Sequence, residues 1–281
     1  MRLSELRLQV TAFQDRTCLM GIINVTPDSF SDGGLFFDSG KAVDHGLALE
    51  AEGADIIDVG GESTRPGAMP VPAEEEIKRV IPVIKALSAK VKVPISIDTY
   101  KAEVAKLAIE AGASIINDIS ALRFDPDMVN VARGHKTPVV LMHMLGSPRD
   151  MQMNPVYGDV VQDVYHFLRE RIEYAERNGI RHEEIIIDPG IGFGKRLHHN
   201  LSLIKHLEVF KGLHCPILIG PSRKSFIGEI LRQPVDERIE GTAAIVAIAV
   251  MKGANIIRVH DIKVMKAIAR MVDAIEAVNG E

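Results

Sequence analysis

Met20-Gly21-Ile22-Ile23-Asn24-Val25-Thr26-Pro27-Asp28-Ser29-Phe30-Ser31-Asp32-Gly33-Gly34 is an apolar, β-branched run that stops abruptly in a polar loop. Such a run reads as a buried strand. Pro27, Gly33 and Gly34 forbid its continuation, which leaves Asn24 where the strand gives out. The same event recurs along the chain. Residues 55–58 open into Gly60-Gly61-Glu62-Ser63-Thr64-Arg65-Pro66-Gly67, residues 95–97 end at Asp98-Thr99, and residues 115–116 end at Asn117-Asp118. Residues 139–142 end at His143, 185–187 at Asp188-Pro189-Gly190, 217–219 at Gly220-Pro221-Ser222-Arg223-Lys224, and 256–257 at Arg258-Val259-His260-Asp261. Eight strands are expected, each delivering a polar group at its C-terminal end.

Between them lie segments of helical periodicity at 41–52, 73–89, 101–110, 159–178, 200–210, 225–231, 240–251 and 262–278. Strands alternating with helices imply a parallel sheet covered on both faces. A weak repeat supports the count: Glu52-Gly53-Ala54-Asp55-Ile56-Ile57-Asp58, Ala111-Gly112-Ala113-Ser114-Ile115-Ile116-Asn117 and Lys252-Gly253-Ala254-Asn255-Ile256-Ile257-Arg258 share one pattern. In each, glycine supplies a left-handed helix cap and two isoleucines fill the sheet. A doubly wound sheet is the alternative architecture, but it has no claim on eight strands that all end in polar residues. The expected fold is therefore α/β, a single (β/α)8 barrel domain over residues 1–281 with its active site at the C-terminal ends of the strands.

Composition agrees. Hydrophobic residues make up 46% of the 281 and charged residues 25%, enough for a large core without bulk disorder. A net charge of −5 argues against a nucleic-acid partner while leaving room for a local phosphate pocket. Cys18 and Cys215 have no ligand spacing and read as buried thiols of a reducing compartment. No apolar run approaches the 18 or so residues of a membrane span, so the cytoplasm is expected and a membrane partner is not.

If the barrel is right, Asn24, Asp58, Thr64, Arg65, Asp98, Asn117, Met142, His143, Asp188, Lys224, Arg258 and His260 face one mouth. Singly, a strand-end Asp or Asn is often only a helix cap; together they make a mixed-charge pocket. Two features point to anions: Gly220-Pro221-Ser222-Arg223-Lys224-Ser225 leads into a helix N-terminus, and Arg258 and His260 alternate on one strand and so point the same way. Asp188-Pro189-Gly190-Ile191-Gly192-Phe193-Gly194-Lys195 fits neither nucleotide-binding glycine pattern. Its glycines instead let the backbone pass close to a flat ligand, with Phe193 as a face to stack on. A metal hydrolase built on His143, His198, His199 and His260 is rejected, because no His-x-His closes the first strand.

The residues 24–34, Gly61-Glu62-Ser63-Thr64-Arg65-Pro66-Gly67, Ser96-Ile97-Asp98-Thr99, Asn117-Asp118-Ile119, Met142-His143-Met144, the stretch 188–195, Ser222-Arg223-Lys224-Ser225 and Arg258-Val259-His260-Asp261 resemble dihydropteroate synthase. The resemblance runs from about residue 17 to 275. It implies a pterin-binding TIM barrel that joins 4-aminobenzoate to 6-hydroxymethyl-7,8-dihydropterin diphosphate and releases diphosphate, a step of folate biosynthesis that sulfonamides inhibit. It also implies Asp98, Asn117, Asp188 and Lys224 on the pterin, with Met142 and Gly192 as its walls. Asn24, Thr64, Arg258 and His260 would take the diphosphate, with Mg²⁺ at Asn24. Phe30, Pro66, Phe193 and Ser225 would frame 4-aminobenzoate. Asp32 and Arg65 would lock two loops over it and act with Lys224 in catalysis. A homodimer is implied too, and the helix 242–250, apolar all round, is a candidate for partial burial against a second subunit. The rival readings are a pterin-dependent methyltransferase of related barrel fold, which needs neither diphosphate nor the first-loop motif, and a silent pterin-binding module, which would lose loop or anion residues.

Overall fold

The computed structural model describes residues 16–26 and 39–278. Eight strands alternate with helices: β1 (Cys18–Asn24), β2 (Ile56–Gly60), β3 (Ile95–Asp98), β4 (Ile115–Asp118), β5 (Val139–Met142), β6 (Ile185–Asp188), β7 (Leu218–Ile219) and β8 (Ile256–Val259). The described α-helices are α1 (Ser39–Ala51), α2 (Ala73–Ser88), α3 (Ala102–Ala111), α4 (Met128–His135), α5 (Val160–Arg177), α6 (Leu197–Lys205), α7 (Ser225–Leu231), α8 (Ile239–Met251) and α9 (Ile262–Glu276). All strand pairs are parallel in the order β6-β5-β4-β3-β2-β1-β8-β7. A bridge between Ile187 and Ile217 brings the two ends of the sheet together, so the expected eightfold barrel is formed.

Two apolar layers hold it. Inside the ring, Cys18, Met20, Ile56, Ile115, Val140, Ile186, Leu218 and Ile256 pack against one another with no more than 4% of any surface exposed. Outside, the alternate strand residues, Ile57, Ile97, Ile116, Leu141 and Ile187 among them, pack against the helices in a larger core. Both strand faces are therefore apolar, which is why the strands read as unbroken hydrophobic runs. The repeat does what its glycines imply: Gly53, Gly112 and Gly253 all take left-handed conformations where a helix turns into the next strand.

Two elements differ from the periodicity. The helix between β4 and β5, α4, has no strong sequence signature; only Met128, Val129 and Ala132 are buried, and packing rather than propensity makes it. The helix expected over 200–210 is instead α6 followed by a 3₁₀ segment, Leu207–Leu213. Leu207, Phe210 and Leu213 are the buried residues there, spaced by three, the period of a 3₁₀ helix rather than an α-helix.

Candidate active site

A strand sends alternate side chains to opposite faces, and that period decides what reaches the mouth. On five strands a polar or sulfur-bearing residue lies two places beyond one that fills the ring: Ile56 and Asp58, Ile115 and Asn117, Val140 and Met142, Ile186 and Asp188, Ile256 and Arg258. Each pair shares the inner face, so the second member stands above the apolar floor. His143 follows Met142 by one and is turned outward. Its ring packs edge-on against Phe167 at 4.7 Å, and only 5% of it is exposed.

Arg258 organises one side of the mouth. Its Nε donates to Asp58 Oδ2 at 2.6 Å and its Nη2 to Asp98 Oδ2 at 2.7 Å, while Asn117 Nδ2 donates to the same Asp58 oxygen at 3.2 Å. Strands β2, β3, β4 and β8 are thereby tied across the ring. Asp58 is fully buried, and its Oδ1 has no hydrogen-bond partner among the described residues. Burial, opposed by Arg258 and reinforced by Asp58, pushes the Asp98 carboxyl up to about 7. Burial also weakens the Arg258 cation, but Asp58 and Asp98 more than offset it and hold the guanidinium above its ordinary value.

Asp188 closes β6 and accepts from Gly190 N at 2.7 Å. Burial raises its carboxyl to about 6, against the opposing pull of that amide, Lys224, Lys195 and Arg258. Lys224, at the start of α7, sets its Nζ 4.2 Å from the centre of the Phe193 ring. Burial and the nearby Arg258 lower its ammonium to about 8. Met142 packs with Ile119, Met144 and Met151, and Tyr100 and Phe193 lie against this cluster. An apolar wall therefore flanks the polar edge, as a flat heterocycle with a hydrogen-bonding rim requires.

His260 and Arg258 lie within electrostatic reach of each other, but their contacts diverge. His260 Nδ1 meets Ser222 Oγ at 2.8 Å, and burial together with Arg258 lowers the imidazole to about 4. His260 N donates to the same Ser222 Oγ at 3.3 Å, so one hydroxyl holds both the backbone and the ring of this residue.

Asn24 sits half-buried at the end of β1, in register with Gly60, which is in turn opposite Asp98. Thr64 is half-buried, and Arg65 and Pro66 are exposed, on the loop after β2. That loop is fastened at its base: Glu62 accepts from Val71 N at 2.9 Å, Tyr100 Oη at 2.7 Å and Lys101 Nζ at 2.5 Å. At its tip, Gly67 N donates to Pro148 O at 3.0 Å. Ser225 is exposed as the first residue of α7, and Gly192 and Phe193 are half-buried beside Lys224. Phe30 and Asp32 lie outside the described residues.

Sequence reasoning left three residues without a role. Asp58 was visible as a strand end, but its partnership with an arginine two hundred positions away was not. Ser222 has no signal beyond its loop. Lys195 reads as the tail of a glycine loop, whereas only 3% of it is exposed. A Cβ on Gly190 would come within 1.9 Å of His143 O, and one on Gly194 within 2.9 Å of Leu145 O, so these two glycines let the neighbouring loop's backbone approach closely.

A barrel mouth with a buried carboxylate edge, an apolar wall and a cationic side defines a class, the pterin-binding enzymes, whose family model matches residues 20–260. The dihydropteroate synthase of Bacillus subtilis is 48% identical over 94% of this chain and 90% of that protein. A Xanthomonas albilineans dihydropteroate synthase structure with 4-aminobenzoic acid superposes with a TM-score of 0.89 at 48% identity, covering 95% of each chain. Another from that organism, in complex with 7,8-dihydropteroate, gives 0.86 at 44% identity over 95% of this chain and 96% of that one. The chain belongs to the dihydropteroate synthase family.

Proposed function

We propose that this mouth joins 6-hydroxymethyl-7,8-dihydropterin diphosphate to 4-aminobenzoate, giving 7,8-dihydropteroate and diphosphate. The observation that carries the reading is the convergence of Asp98, Asn117, Asp188, Lys224 and Arg258 on one rim above a closed apolar floor, beside the Met142 and Phe193 wall. A pterin edge offers an amino group and a ring N–H side by side. The ionised Asp188 carboxylate accepts both, each bond to a charged group contributing about 1.5–3 kcal/mol. Asn117 and Asp98 meet the ring from β4 and β3, and Met142 and Gly192 bound its faces.

The arylamine is neutral at pH 7 and needs no strong base, so catalysis rests on departure of the diphosphate. Charge builds on the leaving oxygens as the C–O bond breaks. Arg258 uses donors not committed to Asp58 and Asp98, His260 contributes its ring, and Thr64 adds a hydroxyl. The carbon left behind is stabilised by conjugation with the pterin ring and is captured by the amine held near Phe193, Pro66 and Ser225; the amine nitrogen then gives up one proton to solvent or to the departing diphosphate. Arg65, exposed on the loop after β2, covers the amine and helps exclude water.

Mg²⁺ fits as a companion of the diphosphate rather than a resident ion. Among the described residues no group of three or more His, Cys, Asp or Glu is placed to hold a metal, and Asp58 and Asp98 are engaged with Arg258. A single amide oxygen at Asn24 suits an ion that brings its own phosphate and water ligands. When bound there, it supplies neutralisation of the diphosphate charge.

A homodimer is part of the proposal. Ile248 and Met251 on α8, and Met271 and Ile275 on the adjoining α9, are exposed apolar residues suited to a second copy. A cytoplasmic location is proposed from the two buried free cysteines and from the absence, among the described residues, of a helix long and apolar enough to cross a membrane. The methyltransferase reading gains no support from any relative described above. A coupled diphosphate-release assay tests the function. Release is expected only when both the pterin diphosphate and 4-aminobenzoate are present, and a protein that releases none under those conditions overturns the reading.

A further inference from the structure

The loop after β6 has no regular structure, yet its backbone is satisfied from several sides. Lys195 Nζ donates to the carbonyls of Gly190 and Phe193 at 2.9 Å each and to His143 O at 3.3 Å. Gln152 Nε2 donates to Gly192 O at 2.8 Å and Tyr157 Oη to Gly194 O at 2.7 Å. Gly192 N donates to Asn200 Oδ1 at 2.7 Å, and Gly190 N to Asp188 itself. The lysine's fourth neighbour is His143 Nδ1 at 2.9 Å. Burial and the nearby cations hold that histidine well below its ordinary range, so the ring nitrogen accepts. Four acceptors around one nitrogen match an ammonium with three donors. A neutral amine has two, and would turn a lone pair on one of them.

This cluster adjoins Asp188 through Gly190, whose N donates to the carboxylate and whose carbonyl accepts from Lys195. Asp188 begins the loop, Gly192 and Phe193 form its outer surface, and Gly190 leaves no room for movement against His143. We propose that Lys195 is a positioning residue for the pterin: its buried ammonium pins the turn that aims Asp188, and it is one of the three cations that keep that carboxylate an acceptor. The proposal rests on the reading of Asp188 as a pterin ligand and extends it to a residue that does not touch substrate.

The charges facing Asp188 are Lys224 from the loop after β7, Arg258 from β8 and Lys195 from its own loop. Those facing Lys195 are Asp188 and Lys224, with the neutral His143 from the end of β5. Burial pushes the Asp188 carboxyl up to about 6 and the Lys195 ammonium down to about 7, and the attraction between the two charges opposes both shifts. Without the ammonium, the Asp188 carboxylate loses one of the charges that favour its ionised form and takes up its proton at higher pH.

Steady-state kinetics of wild type, Lys195→Gln and Lys195→Met between about pH 5 and 9 test this. Lys195→Met is expected to raise the KM for pterin diphosphate about 10–100-fold, with kcat and the KM for 4-aminobenzoate changed less than about threefold. The acid limb of kcat/KM is expected to move up by about one pH unit. Lys195→Gln, which keeps a donor without the charge, is expected to shift the limb similarly with a smaller rise in KM. Folded variants that match wild type in pterin KM and acid limb overturn the proposal. Gln152→Ala removes another cap of the same turn from an exposed side chain and covers the case in which the lysine variants do not fold. A raised pterin KM with an unmoved acid limb supports the positioning role of the loop, and an unchanged KM overturns it. A wild type that makes no dihydropteroate overturns the functional reading itself. A wild type that turns over beside variants with unaltered pterin kinetics overturns only the role of Lys195.

Discussion

Two buried carboxyls at this mouth differ in their surroundings, and the difference assigns them different work. Asp188 has cations on three sides and an amide on one oxygen, whereas Asp98 shares Arg258 with a second carboxylate, Asp58. Asp188→Asn replaces an acceptor with a donor facing a donor. Calorimetry is expected to show pterin diphosphate binding weakened at least about 10²-fold, and unchanged affinity would remove Asp188 from the pterin edge. Arg258 has two jobs that the sequence could not separate. Seen only as the partner of His260 on β8, it is an anion ligand; in the structure it also neutralises buried Asp58. Arg258→Ala is therefore expected to abolish most turnover and to cost about 3–5 kcal/mol in urea unfolding, because it strands a buried carboxylate. A variant as stable as wild type would show that buried Asp58 does not depend on this arginine as its partner.

Among the elements, the strand-to-loop junctions carry the site and the loop after β6 is the tightest of them. Gly190 has φ +71°, and a methyl group there would meet a backbone oxygen that has nowhere to go. Gly190→Ala is expected to destabilise the protein by about 3 kcal/mol or more, measured by thermal or urea unfolding, and to lose pterin binding with it. Stability within about 0.5 kcal/mol of wild type would mean that the two loops separate easily. Helix starts were only partly legible. Asp159 caps α5 by accepting from Val161 N and Gln162 N, as an Asp before an apolar run suggests, but α2, α3 and α6 begin at Pro72, Lys101 and Arg196 without a side-chain cap of their own. The α3 start is instead met from a distance, where Ala102 N donates to Asp125.

For the whole molecule, closure of the ring puts residues from the first and last strands in contact: Met20 lies opposite both Ile56 and Arg258. The apolar α8 and α9 surface remains outside that closure. Sedimentation velocity is expected to give twice the 30.8 kDa chain mass, and Met271→Lys combined with Ile248→Lys is expected to give the monomer. A wild-type monomer at micromolar concentration would overturn the proposed pairing.

The sequence by itself determined the eight strands, their parallel sense and the polar loop that follows each, because apolar runs cut short by polar loops and glycine-capped helix-to-strand junctions are local properties of the chain. It also brought Asp98, Asn117, Asp188 and Lys224 to one rim, since a closed parallel barrel sends every strand end the same way. The tertiary structure alone decided which of these groups are paired, which are raised or lowered in acidity, and that Lys195 lies inward while His143 turns outward. Those outcomes depend on burial and on partners up to two hundred residues apart, Arg258 and Asp58 being the case in point, and no local pattern encodes the distance at which two such charges meet.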